Sequence, residues 1–319
     1  MRGMERTSPG RRPAVLCVGQ ATLDHVYTVD DPVVSGHKHR ATTALSVGGG
    51  VAANASVTVA RLGGRATLMG RVGADIDGDT VCAGLEDEGV DTRLVQRDPM
   101  CSTPVSAVIV TRGGRRTVIN HTPPELFDAE PPPLDGIDAD AVLVDGRWRS
   151  GTTAAVRFAR AASIPCVVDV DRPPAGAAER TTLLTSGSHL VFGEDALAEL
   201  TGFVHHDDGI HAIADATAAF VAVTLGERGV AWWDGTGVGH LPAFAVDAVD
   251  TTAAGDVFHG AFALALADGM TDVDALRFAS AASALKCARP GGRSGIPSRP
   301  EVESLLDASR RTPQPTGGQ

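Results

Sequence analysis

The sequence is poor in cysteine, and its five, Cys17, Cys82, Cys101, Cys166 and Cys287, show neither CxxC nor Cys/His spacing. An odd, scattered set closes no disulfide framework and offers no zinc finger, which points to a reducing, cytoplasmic setting. No eighteen apolar residues run together, so no membrane-spanning helix is expected. The opening MRGMERTSPGRR has no apolar signal core. Basic charge is also scarce. The 28 Lys and Arg stand against 39 Asp and Glu, and only two of the cations are lysines, Lys38 and Lys286. The net −11 repels nucleic-acid backbones and anionic membranes, yet local amides can still hold a nucleotide. Missing too are a Walker GxxxxGK[ST], an HExxH and a GxSxG, the central residues of P-loop, zinc-peptidase and α/β-hydrolase chemistry.

What is present is an alternation. Short apolar runs at 14–19, 66–73, 141–146, 165–171 and 221–226 read as buried strands. Helical patterns at 51–64, 79–90 and 152–164 separate them. The pattern predicts a mostly parallel central sheet flanked by helices on both faces, within one main α/β domain over 14–308. Two stretches break the rhythm, around 25–47 and at 103–123, the second reading as a hairpin around Gly113 and Gly114. They are expected either as a small antiparallel β lid over a crevice or as an edge extension of the main sheet. The polar ends, 1–13 and 309–319, are expected to be disordered and to carry no chemistry.

The most informative segment is AVDTTAAGDVFHGAFALALADG at 248–269. Ala253, Ala254 and Gly255 open a helix with Phe258, Phe262 and Leu266 on one face, and Gly269 closes it. Its first N–H groups can hold an anion, and Asp256 in the first turn can take a proton from a hydroxyl beside that anion. In isolation the pattern is more commonly an N-cap at Asp250 or Thr251 followed by an acidic first-turn residue. Upstream, VAVTLGERGV ends a strand in a turn with Thr224, Gly226 and Gly229, whose glycines admit backbone close to phosphate.

DTTAAGD resembles the second signature of the PfkB, or ribokinase-like, carbohydrate kinases, DTxGAGD, with Ala253 in place of the first Gly. SVGGGVAANASVTVARLGG and GRVGADIDG resemble the first signature, and TLGERG the family's nucleotide loop. The resemblance, over 14–308, implies a sugar kinase using ATP and Mg2+. It makes Asp256 the catalytic base, with the amides of Ala253, Ala254, Gly255 and Asp256 as anion hole. It places Thr224, Gly226, Glu227, Gly229, Gly255 and Ser280 at the nucleotide, and Asp24, Gly49, Gly50 and Asn54 at the sugar. Since alanine tolerates ordinary helical angles, the Ala253 substitution is expected to matter little. The family's magnesium-ordering NxxE is degraded here to Gly193 and Ala196, leaving Glu194 or Asp195 to compensate. Ribokinases further imply a monovalent cation, K+, held by Asp250 and carbonyls near Thr252, Lys286, Arg289 and Gly291.

Within the family, VDGRWR, INHTP and ALKCARPGGRSGIP look closest to sulfofructose kinases. That resemblance assigns Asn120 and Arg147, with the lid cation Lys38, to the sulfonate of 6-deoxy-6-sulfofructose. His37 competes with Lys38 for that position. Ribokinase, fructokinase or nucleoside kinase activity and, more remotely, an inactive sugar-binding regulator are the alternatives. Family resemblance also implies a homodimer through the lid, for which Val105, Ala107 and Ile109 offer an apolar face.

Overall fold

The computed structural model describes residues 11–111, 116–127, 129–171, 182–185 and 187–311. Nine strands form the main sheet in the order β13-β12-β11-β10-β9-β8-β1-β4-β5. Seven of them, β1 (Ala14–Gln20), β4 (Arg65–Gly73), β5 (Asp91–Asp98), β8 (Ala141–Val144), β9 (Cys166–Val170), β10 (His189–Gly193) and β11 (Phe220–Thr224), pair in parallel. All residues of β1, β8 and β9 are buried, as unbroken apolar runs require when both faces are covered. The edge strands β12 (Val230–Trp233) and β13 (Val238–Leu241) are antiparallel, and the sequence pattern had not announced them.

Helices cover both faces. One face carries α1 (Val51–Arg61), α6 (Ala254–Ala267) and α7 (Asp272–Cys287); the other carries α3 (Arg149–Ala162), α4 (Glu194–Thr201) and α5 (His206–Ala216). Helices α2 (Ile76–Asp87) and α8 (Arg299–Arg311) complete the first layer. Phe258 stacks on Phe262, which stacks on Phe220 of β11, but α6 is buried all round from Val257 to Ala267 and not on the expected face alone. Among the described residues no helix is long and apolar enough to cross a membrane.

Four strands, β2 (Thr22–Val29), β3 (Thr43–Gly49), β6 (Val105–Thr111) and β7 (Arg116–His121), form a separate sheet in the order β3-β2-β6-β7. The edge-extension alternative is therefore excluded. Gly113 and Gly114 lie outside the described residues. The expected tails are shorter at their inner ends than the sequence implied. Arg11 binds Asp138 and Asp140, Arg12 binds the carbonyls of Gly63 and Gly64, and α8 continues to Arg311.

The chain leaves β1 toward β4 and β5 on one side and toward β8 to β11 on the other. The order thus reverses between β1 and β8, where a doubly wound sheet opens a crevice at its strand ends. Gly19, at φ +147°, permits this opening to be lined, because a Cβ there would lie 2.1 Å from the Asp145 carboxyl. Asp145 accepts from the Gln20 amide at 2.7 Å and from the Arg147 amide at 3.0 Å.

Candidate active site

Two helices meet at the crevice because neither carries bulk where they touch. A Cβ on Gly260 of α6 would lie 2.6 Å from the Ala55 carbonyl of α1. This contact sets Asn54 beside Asp256, and the Asn54 amide donates to Asp256 Oδ2 at 2.7 Å. Arg293 then donates through Nε to Asn54 Oδ1 at 3.0 Å and through Nη2 to the Gly49 carbonyl at 3.2 Å. The three side chains form a relay from a buried cation to a carboxylate. Desolvation pushes the Arg293 guanidinium down to about 10.

Asp256 is partly exposed. Desolvation, reinforced by Asp169, pushes its carboxyl up to about 7 despite the Asn54 hydrogen bond. A carboxylate with that affinity is a competent proton acceptor near neutral pH.

The turn before α6 corrects one expectation. Ala253 caps the helix at φ 62° and ψ 11°, a left-handed conformation that suits glycine, so the family's Gly-to-Ala exchange introduces strain of about 1–2 kcal/mol. Asp250 and Thr251 are not the N-cap. The amides of Ala253, Gly255 and Asp256 find no acceptor among the described residues, whereas the Ala254 amide is turned to the Thr251 carbonyl at 3.2 Å. Three free N–H groups, not four, therefore converge at the helix tip.

The expected monovalent-cation site does not fit its ion. Lys286 is fully buried, and its ammonium donates to the Asp250 carbonyl at 2.7 Å and lies 3.3 Å from Asp250 Oδ2. Oδ1 accepts from the Thr252 amide at 2.8 Å, and Oδ2 accepts from the Gly291 and Gly292 amides at 3.0 Å each. The carbonyls of Lys286 and Gly291 serve turns to Arg289 and Ser294, and the Arg289 side chain pairs with Glu301 at 2.6 Å. Against partial desolvation, the Thr252 and Gly292 hydrogen bonds and the Lys286 charge hold the Asp250 carboxyl well below the usual carboxylate range. A protein ammonium stands where K+ was expected.

At the expected sugar end the glycines leave space for neighbouring groups. Added Cβ atoms would lie 2.1 Å from Arg293 Nη1 at Gly48 and 2.2 Å from Asp24 Oδ2 at Gly49. Gly50, at φ 94°, opens α1. The glycines thus make room for two polar side chains of the protein itself. Asp24, Ser106 and Asn120 lie in one row across β2, β6 and β7, so the pleat puts Asp24 and Asn120 on one face of the lid. Arg116 falls on the same face and donates to the Thr252 hydroxyl, tying lid to helix tip. Lys38 lies exposed in the loop between β2 and β3.

Arg147 sits among carboxylates. Its Nη2 donates to Asp171 at 2.6 Å, while its Nε is buried without a partner among the described residues. Although burial opposes it, the charges of Asp145, Asp171, Asp169 and Asp256 raise its pKa. Asp169, buried on β9, keeps Oδ1 without a partner among the described residues; its other oxygen is 3.2 Å from His259 Nδ1, which lies 2.7 Å from the Gly255 carbonyl. Burial, then Asp171, raises the Asp169 pKa well above the usual range, and burial lowers that of His259. These acidic groups and His259 escaped the sequence reading, although DVD at the end of a predicted strand marks the crevice side of a parallel sheet. Glu194 pairs with Arg228, and Gly193 and Ala196 supply no carboxylate.

The nucleotide loop follows β11. Thr224 donates to the Phe192 carbonyl at 3.2 Å, Gly226 has φ 58°, and Glu227 is exposed. Gly229, at φ 99°, is indispensable to the packing, because a Cβ would lie 2.0 Å from the Leu241 carbonyl. That approach brings the loop beside a cavity of 220 Å³ lined by Leu241, Pro242, Phe244, Arg277 and the predicted Ser280.

A sequence model of the pfkB family of carbohydrate kinases matches residues 12–299. A ribokinase of Bacillus subtilis is 30% identical over 92% of this chain and 99% of its own length. Among solved structures, a provisionally assigned ribokinase from Agrobacterium tumefaciens is 35% identical with a TM-score of 0.90, covering 95% of this chain and all of that one (100%). An Arabidopsis thaliana ribokinase complexed with ribose and ATP is 26% identical with a TM-score of 0.79, covering 92% of this chain and 98% of the other.

Proposed function

The chain belongs to the pfkB family of carbohydrate kinases, and on that basis we propose that it transfers the γ-phosphoryl group of ATP to a primary hydroxyl of a sugar, with Asp256 as general base. The observation that carries this reading is the pairing of free amides and an elevated carboxylate on one helix tip. Asp256 takes the hydroxyl proton as the sugar oxygen forms its bond to phosphorus and the bond to the ADP oxygen breaks. The amides of Ala253, Gly255 and Asp256 hold the oxygens of the transferring group, and Arg116 meets it from the lid. The loop at Thr224, Gly226, Glu227 and Gly229 takes the phosphates, and the Leu241 to Ser280 cavity the adenine.

The oxygen donors suit Mg2+, with Asp169 and Asp171 as candidate carboxylates and Asp169 Oδ1 without a partner among the described residues. Bound there, the ion would neutralise charge on the phosphates. Asp24 accepts from a vicinal diol of the sugar, above Asn54 and Gly49.

For the acceptor, the finer reading is a ketose such as 6-deoxy-6-sulfofructose, supported by the unpaired Arg147 Nε–H and by Asn120 on the lid's Asp24 face. A second reading, an uncharged sugar such as ribose or fructose, draws on the carboxylates that offset the Arg147 charge. Side-by-side turnover with sulfofructose, fructose and ribose separates the two. Preference for an uncharged sugar, undisturbed by Arg147→Ala, rejects the sulfonate. For a dimer through the lid, the face opposite Asp24 offers Tyr27, Ala107, Ile109 and Ile119, with Ile119 63% exposed.

A further inference from the structure

Away from the crevice, at the far edge of the main sheet, two histidines and a carboxylate from separate elements converge. His206 and Asp207 begin α5, and His240 lies on the edge strand β13, opposite Ala231 of β12. Asp207 Oδ1 lies 3.3 Å from His206 Nε2 and 3.4 Å from His240 Nε2. The three atoms all fall within 4.8 Å of one another.

These spacings have a specific meaning. Four ligands around Zn2+ at bond lengths of about 2.0–2.1 Å stand roughly 3.3–3.4 Å apart along the edges of the tetrahedron. Asp207 Oδ1 meets that spacing to both imidazoles. The Asp207 and His240 side chains are 50% and 48% exposed, but this oxygen is itself buried and accepts no hydrogen bond among the described residues, although two ring nitrogens lie close by. The rings are set edge to face, 5.6 Å between centroids at 76°, so they converge on a point instead of stacking. None of the three belongs to the phosphoryl-transfer site.

We propose that His206 Nε2, Asp207 Oδ1 and His240 Nε2 form a three-ligand site for a borderline divalent transition ion, Zn2+ in the first instance, with water in the fourth position. Two neutral imidazoles and one carboxylate suit Zn2+ and disfavour Mg2+ and Ca2+, which prefer oxygen alone. The ion would clip the first turn of α5, a helix that packs on β11 and β12, to β13. His240 directly precedes Leu241, so the clip would also fix the strand that leads into the nucleotide cavity.

The test is titration of the EDTA-treated full chain with zinc chloride, followed by calorimetry and by the visible spectrum of the Co2+ form. One ion per chain and the intense bands of a tetrahedral cobalt centre are expected. Losing a group that merely orients a ligand costs roughly 10–100-fold in metal affinity, so His206→Ala and His240→Ala should each weaken binding by about 100-fold or more. His205→Ala and His211→Ala, neighbours outside the triad, should leave it intact. Zinc should raise the melting temperature of the wild type and not that of the triad variants. Sugar kinase turnover without zinc should be unchanged in His206→Ala. Absence of stoichiometric binding, or binding equally tight in both triad variants, overturns the proposal.

Discussion

Asn54 and Asp256, 202 positions apart in sequence, are joined by a hydrogen bond of 2.7 Å, and that bond opposes the burial that raises the Asp256 pKa. The carboxylate is thereby held near neutrality, where it is both populated and basic. Four predictions rest on this arrangement and on the turn beside it.

Replacing Asp256 with Asn should lower kcat by about 10²–10⁴-fold while ATP and sugar still bind, as loss of a general base does. Steady-state kinetics and calorimetric binding check it. In the wild type, kcat/KM should rise with pH through about 7 and then level, because only the ionised form accepts a proton. Stability runs the opposite way. A carboxyl whose folded pKa is raised favours the folded state fully below its unfolded value, and that contribution is lost as pH climbs through the folded value of about 7. Asp256→Asn should therefore be more stable than wild type at about pH 8 and lose that advantage in acid.

Asn54→Ala should move the rising limb of kcat/KM to higher pH. A hydrogen bond worth about 1 kcal/mol corresponds to roughly 0.7 pH unit. A variant with lower turnover but an unmoved limb would show that Asn54 positions the sugar without tuning Asp256.

Turnover should be the same in potassium, sodium and tetramethylammonium chloride at equal ionic strength, since the Lys286 ammonium already fills the place beside Asp250. Lys286→Met should destabilise the fold by about 2 kcal/mol, the cost of removing a charged hydrogen bond from a partly buried carboxylate. Urea unfolding measures the second effect. A strong potassium activation of the wild type would contradict the first.

Ala253→Gly should stabilise the protein by roughly 0.5–1 kcal/mol, because relief of the left-handed alanine exceeds the added chain entropy of glycine. A higher urea midpoint with an unchanged slope is the expected result. Loss of stability would mean that Ala253 packs better than its backbone suffers.

The sequence by itself determined the layers of this protein. Unbroken apolar strands such as AVLCVGQ at Ala14–Gln20 can exist only with both faces covered, and the helices between them make parallel crossovers. It also determined which helix tip could hold an anion, because small residues followed by Asp256 are a local property. The tertiary structure decided everything that depends on distant groups meeting. Asn54 reaches Asp256, and Arg293 reaches Asn54, because Gly260 and Gly48 lack side chains at two crossings. Lys286, read from sequence as a neighbour of a cation site, proves to carry the cation itself. Periodicity records which way a side chain faces along its own element; it holds no record of which charge will wait on the other side.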